Sequence, residues 1–501
     1  MANAARDLRS FLTVAGARLV AAHKPWPRYA LDAAGWRRLV EALEGTETWA
    51  LIDLWGEPDT AHAALRDEST GAIAVVSLAC PDRRFPALST VRPAAVRLER
   101  AMRDLFALEA DGAADRRAWL DHGRWPVGGE HAKGRYEFLP VEGEGMHVIP
   151  VGPVHAGIIE PGFFRFTASG ETVVRLEVRL GYTHKGVEGL MAGRSVPEAA
   201  RFTSRISGDS AVAHSLAFAR AVEAALGVDA PPRAVWLRGL MAEIERIANH
   251  LGDFGAVAND VSFPLLHAHC SALREHVLRA TDAAFGHRLM MDRVIPGGVA
   301  RDIDPAAIPK LRAVAGEVGR ELPLLARLYD EKASIQDRTV TTGFVPPELV
   351  RRYAAGGFVG RAAGREFDAR RNAVYPPYDQ LKFDVPVLTE SDVNARVWVR
   401  INEIEQSIGL IGQILDRLPE GDIAVSLPQA AGEGAALVEG FRGEVFAWVR
   451  LDAAGRVLRA RPRDPSWLQW PLLEAAILNN IVADFPVCNK SFNCSYSGHD
   501  L

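Results

Sequence analysis

Two stretches of the 501-residue chain crowd potential ligands and acid–base groups into a few positions. The first reads Arg205-Ile206-Ser207-Gly208-Asp209-Ser210-Ala211-Val212-Ala213-His214. The second reads Ser491-Phe492-Asn493-Cys494-Ser495-Tyr496-Ser497-Gly498-His499-Asp500-Leu501. Ser207 and Ser210 stand three apart and are followed by His214; Ser495 and Gly498 repeat the same step. Residue type limits what such a frame can do. Soft thiolates select nickel and iron, whereas a serine hydroxyl is a hard group that ionises only at high pH, and glycine supplies no donor. Cys494 is the one thiol in either stretch, and it stands one residue off the step.

The composition, 48% hydrophobic and 24% charged with a formal net charge of −5, is that of an ordinary soluble chain long enough for two or more domains. Its mild acidity gives no reason to expect a nucleic-acid partner. Cys80, Cys270, Cys488 and Cys494 are scattered, so no disulfide framework, zinc site or iron–sulfur ligand set is legible. They are expected reduced, in a cytosolic compartment. No apolar run approaches the roughly 20 residues of a membrane-spanning helix. Met1 to Asp7 is polar and lacks a leader pattern. Gly356-Gly357-x-x-Gly360 is not a dinucleotide fingerprint, so no NADH site is expected.

Residues 1–125 predict a small α/β-sandwich-like domain. A helix covers Gly35 to Leu43, strands cover Trp49–Trp55, Ala61–Leu65 and Ala72–Ala79, and a helix opened by Pro93 carries Val96, Leu98, Met102, Leu105 and Phe106. Residues 126–147, rich in glycine, proline and charge, read as a linker. Residues 148–501 read as a larger domain: a β-rich opening segment from Val148 to Leu180, then mainly helix from Val196. A long helix follows from about Val393 to Leu418, a strand and turn lie near Glu439–Trp448, and a last helix runs from Trp470 to Val482. The fold class is therefore α+β.

The two stretches resemble the metal-binding motifs of the nickel–iron hydrogenase large subunit, R-x-C-G-x-C-x-x-x-H and D-P-C-x-x-C-x-x-H. Ser207, Ser210, Ser495 and Gly498 stand where four cysteines would hold the metals, and Leu501 stands at the final histidine. The Glu99-Arg100-x-x-x-Asp104-Leu105-Phe106 run resembles the signature of the complex I 30-kDa subunit, although its plainer explanation is a solvated charged helix face. Gly360-Arg361-x-x-Gly364-x-x-Phe367-Asp368-x-Arg370-Arg371, then Pro377-Tyr378, Phe383-Asp384-Val385-Pro386 and Asp392-x-x-x-Arg396, resembles the long 49-kDa signature. The order is that of the large subunit of hydrogenase-4 and formate hydrogenlyase, in the branch lacking the cysteines.

That resemblance implies the candidate site. Glu160 would pass protons from a buried position with a raised pKa, the alternative being a turn-stabilising carboxylate. His155, His184 and His214 would face the former metal cavity, each also explicable as a hydrogen-bonded core residue. Arg442 would overhang the cavity and pair with Glu160 or with the cluster surroundings of a partner subunit. Glu188 matches a relic magnesium ligand, with a salt bridge to Lys185 or Arg194 the favoured alternative. Ile159 replaces a second histidine found beside the quinone headgroup in the 49-kDa subunit.

The implied function is that of the large subunit of a hydrogenase-4-like, complex-I-related complex on the cytoplasmic side of the membrane. It would carry no cofactor itself, dock a small subunit bearing a 4Fe-4S cluster and a ferredoxin-like subunit, and rest on ion-translocating membrane subunits. The alternative is a non-catalytic scaffold. Because thiolates are missing, the purified chain is expected to hold no stoichiometric nickel or iron; elemental analysis finding about one nickel per chain would overturn this.

Overall fold

Alternating and continuous apolar runs in the first hundred residues close into a five-stranded sheet. The computed structural model describes residues 7–123, 125 and 136–501; the leader reading over residues 1–6 and the linker reading over 126–135 lie outside them. The sheet order is Arg18–Val20, Arg28–Leu31, Ile73–Ala79, Thr60–Asp67, Trp49–Glu57. Arg28–Leu31 runs parallel to Ile73–Ala79 and the other pairs are antiparallel. Helix Ala33–Glu44 starts at Asp32, whose carboxylate accepts the Gly35 N–H at 2.6 Å, and buries Trp36, Leu39 and Leu43.

The charged helix Ala95–Phe106 is not a solvated face. Glu99, Arg100 and Asp104 are all buried. Glu99 accepts the N–H groups of Leu88 and Ser89 at 2.6 and 2.9 Å, and Asp104 accepts those of Trp119, Leu120 and Asp121. Arg100 donates to the carbonyls of Arg117 and Ala118. Each signature residue thus satisfies loop backbone that would otherwise be buried without a partner.

The β-rich opening segment is a three-stranded antiparallel sheet of Met146–Val151, Phe163–Ser169 and Thr172–Arg179. A four-stranded sheet holds Val457–Arg463, Gly443–Leu451 and Gly432–Gly440, and its fourth strand, His23–Lys24, comes from the first unit and pairs in parallel with Glu433 and Gly434. Ion pairs tie the two sheets further: the buried pair Arg461 to Asp53 at 2.8 Å and the partly buried pairs Arg450 to Glu57 and Arg28 to Glu433, each at 2.8 Å. Trp55, His62 and Trp448 fill the space between them.

The helical part is built around Pro232–Asp260, buried on nearly every face and flanked by Ala211–Leu226, Pro264–Phe285 and Val393–Arg417. The expected last helix from Trp470 to Val482 is displaced: it spans Ser466–Ala476 and stops before Asn479, which adopts a left-handed conformation (φ 64°). A second helix, Phe485–Phe492, then delivers the terminal stretch. Arg396 and Arg400 of the long helix hold it by donating to the Ser491 hydroxyl and carbonyl at 3.0 and 2.6 Å.

Arg461 is the hinge of this assembly, because it serves Asp53 of the first sheet and Glu188 together. Arg461→Ala leaves two buried carboxylates without that cation and is expected to destabilise the chain by about 3–5 kcal/mol. Urea unfolding measures the loss, and faster proteolysis within the first hundred residues should accompany it; unchanged stability would show the ion pair to be dispensable.

Candidate functional site

The turn Gly208–Ser210, leading into helix Ala211–Leu226, brings Ser207 and Ser210 beside the terminal helix Tyr496–Asp500. The two stretches meet: Ser207 Oγ and Ser495 Oγ are 2.8 Å apart. Donor and acceptor directions fix a chain. Gly498 N–H donates to Ser495 Oγ at 2.9 Å, Ser495 donates to Ser207, and Ser207 donates to Asp209 Oδ1 at 2.7 Å. Ser210 donates to the same carboxylate and accepts from Arg442 Nη1 at 3.1 Å. Three of the four positions of the frame are therefore satisfied hydroxyls.

The fourth position is closed by a carboxylate. A Cβ on Gly498 would lie 2.6 Å from Asp464 Oδ2, closer than real contacts permit. Asp464 accepts from His214 Nε2 at 3.0 Å and from the Ser466 N–H at 2.8 Å, entirely buried. His214 Nδ1 has no partner among the described residues, so the Nε2–H tautomer is the one this geometry supports. Burial alone would raise the Asp464 carboxyl; the His214 hydrogen bond and the nearby Arg442 charge hold it well below the usual range. Asp209 is likewise penalised by burial and pulled down by Arg442 and the Ser207 hydroxyl. Arg442 Nη1 donates to Asp209 at 2.7 Å, its Nη2 pairs with the other oxygen, and its Nε reaches the Asn493 carbonyl.

This donor set does not fit a nickel–iron centre. Its hydroxyls are spent on one another and on Asp209, Asp464 fills the space at Gly498, and Cys494, which lines the cavity one residue off the frame, is kept a thiol by burial, which raises its pKa. Magnesium does not fit at Glu188 either: its oxygens are taken by Arg461 at 2.9 Å and by Arg459, neither of them the expected Lys185 or Arg194. The favoured salt bridge exists with partners that sequence separation hid.

A cavity of about 300 Å³ opens above the cluster, lined by Glu160, Asp209, Arg442, Lys490, Tyr496 and neighbours. Glu160 corrects the expectation of a buried acid. It is exposed at the rim and accepts the Ser497 N–H at 3.0 Å, because its loop leaves the sheet toward solvent; Ile158 of that loop is 96% exposed. Arg442 pairs with Asp209 instead of Glu160. Nor do the three histidines line the cavity. His214 lies behind Asp464. His155 contacts Tyr496 Oη at 3.2 Å, with burial lowering its pKa. His184 contacts the Asp500 carbonyl at 2.7 Å and packs against Trp125. Sequence reasoning passed over Asp209, Asp464 and Tyr496. Asp209 was visible as an acid between two serines, but nothing near Asp464 marked it.

Gly498→Ala is expected to cost about 1–3 kcal/mol, because the methyl group must displace Asp464. In an Asp464→Ala background the same change should cost less than about 1 kcal/mol, since its obstacle is gone. A double-mutant cycle by denaturant unfolding measures both; equal costs would show that Asp464 does not occupy the fourth position.

Comparison with known proteins adds to this geometry. Residues 185–257 match the family described as nickel-dependent hydrogenase, a span that includes Glu188, Ser207, Ser210 and His214. Residues 265–431 match the 49 Kd subunit of respiratory-chain NADH dehydrogenase. The chain is 31% identical to the carbon monoxide-induced hydrogenase of Rhodospirillum rubrum over 69% of its own length and 97% of that protein. It is 29% identical to formate hydrogenlyase subunit 5 of Escherichia coli, over 83% of its own length and 77% of that protein. It is 28% identical to hydrogenase-4 component G of Escherichia coli, again over 83% of its length and 76% of that protein. A chain in the structure of the membrane-bound sulfane sulfur reductase, an archaeal respiratory membrane complex, superimposes with a TM-score of 0.68 at 26% identity, covering 72% of this chain and all of that one. The chain belongs to the family that joins the 49-kDa subunit of the respiratory-chain NADH dehydrogenase with the large subunits of nickel-dependent hydrogenases.

Proposed function

We propose that this chain is the large subunit of a membrane-associated oxidoreductase complex of the hydrogenase-4 and complex I type, working without a nickel–iron centre of its own. The observation that carries this reading is a contrast. Similarity to hydrogenase-complex subunits spans 83% of the chain, while the four ligand positions are hydroxyls and a glycine closed over by Asp464. Among the described residues no helix is long and apolar enough to cross a membrane, so attachment through other subunits fits the reading.

In finer detail, the chain would lie on the cytoplasmic side. It would dock a small subunit carrying a 4Fe-4S cluster and a ferredoxin-like subunit, and would rest on subunits that move ions. The cavity gives it something to do there. Buried Arg442 pairs with Asp209, which is partly exposed to a polar space, with Glu160 and Lys490 at hand. An electron arriving on a neighbouring cluster would weaken the hold of Arg442 on Asp209 and favour proton uptake, a first step toward ion movement. The scaffold reading draws on the same site, since the hydroxyls of Ser207, Ser210 and Ser495 are already satisfied.

Two experiments test, in turn, the attachment and the choice between these readings. Carbonate washing of native membranes should release the chain; retention after loss of the membrane subunits would contradict peripheral attachment. In the assembled complex, Asp209→Asn should lower turnover or ion coupling by at least about tenfold with subunit content unchanged. Glu160→Gln, exposed at the rim, should have a smaller effect. Full turnover and coupling with Asp209→Asn would favour the scaffold.

A further inference from the structure

The three-stranded sheet has two ends. The loop after Val151 faces the cavity just described; at the other end Met146 pairs with Ser169. There the sheet, helix Ser466–Ala476 and helix Pro347–Arg352 enclose a groove of about 460 Å³ walled by Met146, Val174, Leu349, Pro471, Ala475 and Leu478. The groove runs inward to a smaller cavity of about 230 Å³, and the two share Arg175, Tyr353 and Glu474.

The inner cavity is built from charge. Arg97, Arg100, Arg117 and Arg175 line it against Asp115, Glu177 and Glu474. Arg97 donates through Nη2 to Glu474 at 2.8 Å, but its Nη1 has no acceptor among the described residues, although its side chain is only 8% exposed. Arg175 spends Nη2 on the Leu139 and Pro140 carbonyls, and its Nε has no hydrogen-bond acceptor, only a loose ion pair with Glu177 at 3.9 Å. Four guanidinium groups thus face three carboxylates there, and burial raises the pKa of Glu474 against the pull of Arg97. Glu142 lines the groove but not the inner cavity, so the positive excess is confined to the inner end. Buried donors without acceptors are costly and rare.

The rim is apolar and exposed. Phe344 is 49% and Val174 46% exposed, with Leu478 and Ile481 also open to solvent. Val174 and Leu478 line the groove, and Phe344 and Ile481 flank it in sequence, since Gly343 N–H donates to Asn480 Oδ1 at 3.1 Å and Val173 N–H to the Asn480 carbonyl at 2.9 Å. Such a patch marks an interaction surface. A small amphiphile confined to the groove would leave Phe344 and Ile481 wet; a protein segment with flanking surface covers both.

We propose that this groove seats an extended apolar segment of a partner subunit, with an acidic side chain or C-terminal carboxylate turned inward to Arg97 and Arg175. The proposal rests on the chain being a complex subunit, and its test distinguishes the two claims. The native cysteines are all buried, so an introduced thiol can be labelled selectively. Phe344→Cys and Leu478→Cys are compared with Val14→Cys, which is exposed on the first unit. In the complex purified from native membranes, maleimide labelling at 344 and 478 should be at least about tenfold slower than in the isolated chain, while position 14 changes much less. A benzophenone carried on Leu478→Cys should cross-link to a peptide of another subunit that combines apolar residues with Asp, Glu or a C-terminus. Arg175→Glu, on a half-exposed side chain, should restore labelling at 478. Equal labelling in the complex and the isolated chain would overturn the proposal. So would protection lost on delipidation, or a cross-link to a second copy of this chain. A chain that co-purifies with no other subunit would sink the complex-subunit reading and this proposal together; a complex that forms with an open groove sinks this proposal alone.

Discussion

Arg246, Arg361 and Arg370 sit in the helical core with almost no access to water, and the architecture around them is arranged to supply carboxylates. Glu243 accepts from Arg370 at 2.9 Å, from Tyr378 at 2.6 Å and from Ser407 at 2.6 Å. Glu403 accepts from Arg361 and His250, each within 2.8 Å, and Asp368 accepts from Arg370 at 2.7 Å. Glu439 accepts from Arg361 at 2.9 Å and from the Ala369 N–H. Isolated buried ions are expensive, and a buried pair is tolerable only when its remaining lone pairs and protons are also satisfied. Four carboxylates face three guanidinium groups here. Burial and the neighbouring Asp368 charge push the Glu439 carboxyl up to about 7, so one acid of the set can take a proton near neutrality. Because that pKa is raised in the folded state, its favourable contribution is complete below the ordinary glutamate range and fades as pH rises through about 7.

The same constraint governs the frame of Ser207, Ser210, Ser495 and Gly498. A buried polar frame is tolerable only when its groups satisfy one another. Asp209, Asp464, Arg442 and His214 do so, with the serine hydroxyls as links. Glu245, beneath Asp209, accepts the N–H groups of Val212 and Ala213 at the start of helix Ala211–Leu226; burial still pushes its carboxyl up to about 8. The floor of the cavity therefore joins the charged core through adjacent residues of one helix, Glu245 and Arg246.

Charge pairing also binds the first unit to the rest. The strand His23–Lys24 enters the C-terminal sheet, and Asp53, Glu57 and Glu68 each meet an arginine of the larger part. Arg97 reaches Glu474 of the terminal region, and the guanidinium groups of Arg97, Arg100 and Arg179 surround the Trp119 ring. A fused arrangement of this kind keeps the small sheet in one orientation, which a flexible tether would not.

Local sequence determined the elements of this protein wherever periodicity and punctuation are strong. The strands near 49–57, 60–67 and 73–79, the helix Ala95–Phe106 and the long helix Val393–Arg417 follow from apolar spacing, Asp392 capping and turn residues. The spaced signatures also carried the family, and with it the frame of Ser207, Ser210, Ser495 and Gly498. Tertiary structure alone decided which charges meet. Asp464 lies 250 residues from His214, and Arg461 lies 408 from Asp53. No helical or strand period links such positions, so the partner of Glu188, the exposure of Glu160 and the closure at Gly498 were illegible in the chain. Those outcomes depend on which surfaces exclude water, and water is excluded only after the layers have packed.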